Sequence, residues 1–190
     1  MKSHPRQHGE VTSPQPRRGI FPGSFNPLTI AHIEVARLAR AAHDLDTVVL
    51  TVSHVALDKP TPHGPTFDER ISLLRADASA YGWLEVATTD QQLIADIATG
   101  YDVVIMGADK WTQVNSGRYY PSLAERDAAV ASLPTVVVAE RAGLAIEGTQ
   151  ATLLQVPEEF HDVSSTSARE GDRNLMAPYA RKHWGDTPKT

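Results

Sequence analysis

The sequence predicts an α/β fold: a doubly wound parallel sheet of about five strands in a single domain, closed by a C-terminal helical segment. Three observations carry that prediction. Apolar runs of strand length end at Ile20-Phe21 and recur at 47–53, 83–88, 102–106 and 135–139. Helical apolar patterns lie between them, near 31–43, 66–80, 90–99 and 122–132, and such alternation is the mark of βαβ units. Finally, 190 residues at 41% hydrophobic suffice for one sizeable core but not comfortably for two.

Taken in order, residues 1–17 are rich in His, Pro, Gln and Ser and read as a disordered N-terminal extension, with the folded domain spanning 18–190. After the first strand, Gly23 permits a sharp turn and Asn26-Pro27 is a turn dipeptide, so a loop forms. Ile30, Ile33, Val35, Ala36, Leu38 and Ala39 then describe a helix buried on one side. Thr66-Phe67-Asp68-Glu69 is a capping box that opens the second helix, which makes Glu69 structural. Leu144 to Val156 alternates weakly and reads as a further strand pair, and Leu175 to Trp184 as a terminal helix.

Composition excludes several function classes. A net charge of −5 with no dense basic face argues against non-specific nucleic-acid binding, so an anionic substrate would need a local basic pocket. The absence of cysteine excludes disulfides and thiolate catalysis. No apolar run approaches a membrane span, and Met1 to Pro16 lacks the apolar core of a signal peptide; the chain reads as soluble and cytoplasmic. His43, His54, His161 and His183 show no metal-ligand spacing and read as surface or loop residues. The oligomeric state is left open.

The chemistry concentrates where the rule for open parallel sheets puts it, beyond the carboxyl ends of the strands. Thr29 and His32 are three apart at a helix start, on one face of its first turn, where N–H groups and the helix dipole attract anions. Both can donate to one phosphate. The Ser24 to His32 stretch therefore reads as a nucleotide-phosphate site, against the alternative of a cap and a packed histidine. Far downstream, Ser164, Ser165, Thr166 and Ser167 supply hydroxyls and Arg169 a fixed cation, a set suited to β- and γ-phosphates; Ser167-Ala168-Arg169-Glu170 also reads as a capping box. Gly107-Ala108-Asp109 is either a turn with a capping Asp or a contact to ribose or substrate. Trp111 either stacks on an aromatic ligand or fills a gap beside the sheet. Tyr119 and Tyr120 belong to a lid or anchor a loop.

Gly23, Phe25, Pro27, Thr29 and His32 together resemble the T/HxGH signature of the nucleotidylyltransferase superfamily. Val163-Ser164-Ser165-Thr166-Ser167-Ala168-Arg169 resembles its second, ISSTxxR-type signature, and Val103 to Asp109 is similar to the strand and Gly-Ala-Asp turn of nicotinate- or nicotinamide-nucleotide adenylyltransferases. Arg70 and the run Val136 to Gly143, with Arg141, are similar to the same branch; the resemblance covers roughly residues 18 to 184. Ala31 stands where the motif carries glycine, Lys59 and His63 are separated where that branch has a His-Lys pair, and Trp111 follows Asp109 by only two residues.

The resemblance implies a Rossmann-like sheet and the transfer of AMP from ATP to a phosphorylated small molecule, nicotinate or nicotinamide mononucleotide, with pyrophosphate leaving. It implies His32, Thr29 and Arg169 as catalytic groups. Gly23, Ser24, Phe25, His32, Gly107, Asp109, Ser164, Ser165, Thr166 and Arg169 would bind the nucleotide, and Lys59, Arg70, Trp111 and Arg141 the second substrate. Mg²⁺ would come bound to the triphosphate oxygens, with no protein metal ligand. Two alternatives stand beside this: cytidylyl or adenylyl transfer to another phosphorylated metabolite, and a nucleotide-binding module without turnover.

Overall fold

A computed structural model describes residues 15–55, 65–140 and 151–185. Most of the expected N-terminal extension, together with Lys59, His63 and Arg141, lies outside the described residues. The described chain forms one six-stranded sheet in the order β3-β2-β1-β4-β5-β6, all strands parallel. The strands are β1 (Arg18–Pro22), β2 (Thr47–Ser53), β3 (Leu84–Thr89), β4 (Val103–Gly107), β5 (Thr135–Ala139) and β6 (Ala151–Leu154).

The first five fall where the apolar runs put them. Of the strand pair expected over 144–156, residues 144–150 lie outside the described residues; the described part forms one strand, β6, parallel to β5. Its half-exposed pattern, with Leu153 open to solvent, is what an edge strand shows, and it explains the weak sequence signal.

Seven α-helices accompany the sheet in the described chain, α1 (Ile30–Ala42), α2 (Phe67–Ala78), α3 (Ile94–Ile97), α4 (Ala108–Asn115), α5 (Leu123–Ala131), α6 (Ser165–Glu170) and α7 (Pro178–His183), with short 3-10 turns at Gly117–Tyr119, Glu158–Phe160 and Arg173–Leu175. Alternating strand residues feed two cores. Phe21, Val103, Ile105 and Val137 pack with Val35, Ala39, Ile71 and Leu74 of α1 and α2 on one face. Ile20, Val104, Met106 and Val138 pack with Ile94, Trp111 and Val114 of α3 and α4 on the other. Burial on both faces is why the strands read as unbroken apolar runs rather than as alternation.

Three helical expectations need correction. Residues 90–99 contain only the single turn of α3: Leu93, extended, offers no side-chain cap, and Asp90, Gln91 and Gln92 before it are not helical. The segment after Gly107 is the helix α4 rather than a turn, and it buries Ala108, Trp111 and Val114 at three-residue spacing. The terminal helix begins at Pro178, whose fixed φ suits the first helical position, three residues later than expected.

The strand order places the reversal between β1 and β4. Chain leaving β1 goes to the α1 and α2 face and chain leaving β4 to the α4 face, so a crevice opens between the two loops. The C-terminal segment closes one end of it. Met176 bridges to Thr29, and the Ala177 N–H donates to the Leu28 carbonyl at 2.9 Å. Asp77 of α2 accepts from the Tyr179 and Ala180 N–H groups at 2.7 and 2.9 Å, fastening α7 by its N-terminus.

Candidate active site

The loop from Gly23 to Thr29 is folded around a buried aromatic ring. Phe25 takes a left-handed backbone (φ 41°) and turns its ring inward, edge-on to Phe21 with centroids 5.5 Å apart. A Cβ on Gly23 would stand 2.8 Å from that ring, so the glycine is required by this close approach. The Gly23 N–H is not offered to a phosphate, because it donates to the Thr51 carbonyl at 3.0 Å and extends the β1–β2 pairing. The N–H groups of Ser24 and Phe25 have no hydrogen-bond partner among the described residues.

Thr29 is the N-cap of α1 and is 0% exposed. Its hydroxyl accepts the His32 N–H at 3.3 Å and lies 2.7 Å from His32 Nδ1, while its own N–H donates to Nδ1 at 3.1 Å. This is a capping box with histidine in the reciprocal place, so Thr29 is spent on holding His32 and cannot itself reach a phosphate. With Nδ1 accepting, the neutral ring carries its proton on Nε2. The ring stands edge-on to Phe25, centroids 5.2 Å apart.

The downstream motif is bolted to this loop. Ser165 donates to the Pro27 carbonyl at 2.8 Å, and the Arg169 guanidinium donates to the Asn26 carbonyl and, at 3.3 Å, to Thr166 Oγ1. The capping box at α6 is Ser164 with Ser167, at 2.9 and 3.0 Å, one turn earlier than the Ser167-Ala168-Arg169-Glu170 alternative.

Between these elements runs a cleft of about 420 Å³, within the range of small-molecule sites. Its wall brings together Gly23, Ser24, Arg70, Ser165, Thr166 and Arg169 from the expected set. Sequence reasoning missed Asn26, Thr51, His54, Phe67, Lys110 and Gln113. The signals were faint: Thr51 and Ser53 are polar interruptions at the carboxyl end of an apolar strand, and Lys110 follows the Gly-Ala-Asp turn directly. His54 is an exposed residue just past β2, as the sequence reading has it, and it also lines the cleft. Its Nδ1 faces Asp90 Oδ1 at 3.0 Å and the Thr89 carbonyl at 3.1 Å, and its ring lies 4.4 Å from Phe67.

Other expected residues stand elsewhere. Trp111 is 4% exposed and packed in the α4-side core, which corrects its assignment to the substrate: it fills space beside the sheet. Phe25, Thr29, Ala31, His32, Gly107, Asp109 and Ser164 are not among the residues of the cleft wall. A Cβ on Gly107 would meet nothing within 4 Å, so the fold itself does not require that glycine. Tyr120 anchors its loop by donating to the Val114 carbonyl at 3.1 Å, and with Tyr119, Lys110 and Gln113 it lines a smaller hollow adjoining the cleft.

The electrostatics of the cleft oppose those of the chain. The described wall holds Arg70, Lys110 and Arg169 and no Asp or Glu, in a protein of net charge −5. Burial holds the Arg70 guanidinium below its ordinary pKa, and its plane lies over the Phe67 ring, 5.3 Å from the centroid. Such a wall attracts anions and supplies hydroxyl, amide and N–H donors to them. Among the described residues no group of three or more His, Cys, Asp or Glu could hold a metal, and no helix is long and apolar enough to cross a membrane.

A family model described as cytidylyltransferase-like matches residues 20–171. Phosphopantetheine adenylyltransferase of Deinococcus radiodurans is 36% identical over 89 residues, covering 46% of this chain and 52% of that protein. The chain thus spans about half the length of that relative and of others bearing the same name, 56% of the one from Micrococcus luteus. A probable nicotinate-nucleotide adenylyltransferase of Geotalea uraniireducens is 29% identical over 156 residues, covering 75% of this chain and 69% of that one. In fold, the chain is similar to the Plasmodium falciparum nicotinic acid mononucleotide adenylyltransferase complexed with NaAD, with a TM-score of 0.66, 15% identity, and coverage of 89% and 96%.

Proposed function

Because this chain belongs to the cytidylyltransferase-like family, we propose that it transfers AMP from ATP to nicotinate or nicotinamide mononucleotide and releases pyrophosphate. The observation that carries the reading is the cleft whose wall has three cations and no acid, in an acidic chain, built from both signature segments. A cytoplasmic location accompanies this reading.

The reaction needs no protein nucleophile. An oxygen of the acceptor's phosphate, already an anion at neutral pH, forms a bond to the α-phosphorus, and the bond to the α–β bridging oxygen breaks with its electron pair leaving on pyrophosphate. Catalysis is then positioning and charge neutralisation. Arg169, Thr166 and Ser165 would hold the β- and γ-phosphates beside the N–H groups of Ser24 and Phe25. His32 would donate from Nε2 to the transferring phosphate, and Thr29 acts as a positioning residue that fixes its tautomer. Gly107 and Asp109 are assigned to the ribose, and Lys59, Arg70 and Arg141 to the acceptor. Mg²⁺ accompanying the triphosphate would add charge neutralisation through phosphate oxygens, since the described wall offers it no carboxylate.

A second reading is favoured by one observation: relatives 36% and 33% identical over about half of this chain are named phosphopantetheine adenylyltransferases. One assay separates the two. Pyrophosphate release from ATP and Mg²⁺ is measured with nicotinate mononucleotide, nicotinamide mononucleotide and 4′-phosphopantetheine in parallel, with His32→Ala as control. Release with a pyridine mononucleotide, abolished in the variant, is expected. Release with 4′-phosphopantetheine alone transfers the assignment to the second reading. No release from folded protein with any of the three overturns both.

A further inference from the structure

One side of the cleft carries polar atoms that the protein itself leaves unanswered. Asn26 and Thr51 are each only 4% exposed, yet Asn26 Oδ1 and Thr51 Oγ1 have no hydrogen-bond partner. Arg70 Nε is in the same condition, and no carboxylate pairs with its guanidinium among the described residues. Three of the four buried side-chain atoms left this way in the described residues therefore belong to the wall of a single cleft. Buried polar atoms are ordinarily satisfied, so a cluster of exceptions at a concave surface points to a ligand. The depressed pKa of Arg70 agrees, because burial of that cation is offset by no anion of the protein.

The three atoms also say what the ligand must bring. A carboxamide oxygen only accepts and a guanidinium nitrogen only donates, while a hydroxyl does either. The ligand must then carry an oxyanion for Arg70 and a donor for Asn26. An anion without a hydroxyl answers only the first and an apolar group neither. The two arginines of the wall also differ: Arg169 on α6 is committed to the Asn26 carbonyl and Thr166, whereas Arg70 on α2 has a buried Nε with no partner.

We infer that Asn26, Thr51 and Arg70 form the acceptor's subsite and take a phosphorylated polyol, its oxyanion against Arg70 and its neighbouring hydroxyl against Asn26 and Thr51. This rests on the adenylyl-transfer reading and makes Thr51 and Asn26 specificity residues for the acceptor rather than for ATP.

The experiment is calorimetric binding to the full chain, with nicotinate mononucleotide and ATP each alone, in wild type, Arg70→Gln and Thr51→Val. The dissociation constant for the mononucleotide rises about tenfold or more in each variant, while that for ATP stays within about twofold. Thr51→Val melts no lower than wild type, because the hydroxyl it removes has no bond to lose. Unchanged mononucleotide affinity in both variants, or an equal loss for ATP, overturns the subsite. If wild type binds no nicotinate mononucleotide, the substrate reading fails by itself, and ribose 5-phosphate decides the subsite. Binding that weakens in Arg70→Gln upholds it; no binding, or equal binding in the two proteins, overturns it.

Discussion

The hydroxyl of Ser165 donates to the carbonyl of Pro27 at 2.8 Å, across 138 residues of chain. That bond and the Arg169 guanidinium on the Asn26 carbonyl lock the two signature segments into one wall. Ser165→Ala should cost about 1 kcal/mol of stability, the usual worth of such a bond, and raise the KM for the nucleotide severalfold. Urea unfolding read at unchanged m-value, together with initial rates, checks both. A variant with wild-type stability and KM would show the bond to be incidental.

Gly23→Ala should destabilise by roughly 1–3 kcal/mol, because the new Cβ meets a buried ring that has nowhere to move. The double variant Gly23→Ala with Phe25→Leu, which removes the clashing ring edge, should lose less stability than the two single changes added together. Thermal melting of the four proteins measures the coupling. Strict additivity would mean that the ring does not press on Gly23.

His32→Ala should lower kcat by about 10²–10³-fold if the Nε2 proton meets the transferring phosphate. Its stability should fall by roughly 0.5–2 kcal/mol, since the capping box loses one arm. Rates at saturating ATP and acceptor, set beside the melting temperature, separate the two effects. A loss of stability with kcat unchanged would leave His32 a cap and nothing more.

Trp111→Phe should cost on the order of 1–2 kcal/mol through the gap left beside Met106 and Val114. The KM for the acceptor should stay within about twofold of wild type, because the ring is in the core. A selective rise in that KM would return Trp111 to the substrate.

Asp77, 3% exposed, has its pKa raised above 3.8 because burial outweighs the two backbone hydrogen bonds it accepts. The folded state then binds a proton more tightly than the unfolded state. Asp77 thus contributes stability that is fully present below 3.8 and is lost as pH rises through the elevated folded value. Asp77→Asn abolishes this dependence and should cost about 1–2 kcal/mol, since one of the two accepting oxygens becomes an NH₂ facing an N–H. The advantage of wild type over the variant should accordingly shrink as pH is raised upward from 3.8, followed by denaturant melts at several pH values. An advantage that grows with pH would contradict burial as the dominant cause.

The sequence by itself determined the alternation of strands and helices, because strands buried on both faces must be apolar throughout and their connections must turn at Gly, Pro and Asn. It also singled out the Ser24–His32 and Ser164–Arg169 segments as candidate anion sites, since hydroxyls, N–H groups and a cation at helix starts carry that chemistry. Only the tertiary structure decided which groups line the cleft. Thr29 looked like a phosphate donor and is consumed by its own helix cap; Gly23 N–H looked available and belongs to the β1–β2 ladder; Trp111 looked like a stacking platform and fills the core. In the other direction, Thr51 and His54 sit in a segment with no motif, Asn26 and Lys110 inside or beside one without an assigned role, and all four become wall residues. A sequence states what each side chain can do, but whether its hydrogen bonds are spent at home or left for a ligand is fixed by neighbours tens to more than a hundred residues away. The Pro27–Ser165 and Asn26–Arg169 contacts, separated by 138 and 143 residues, are of that kind.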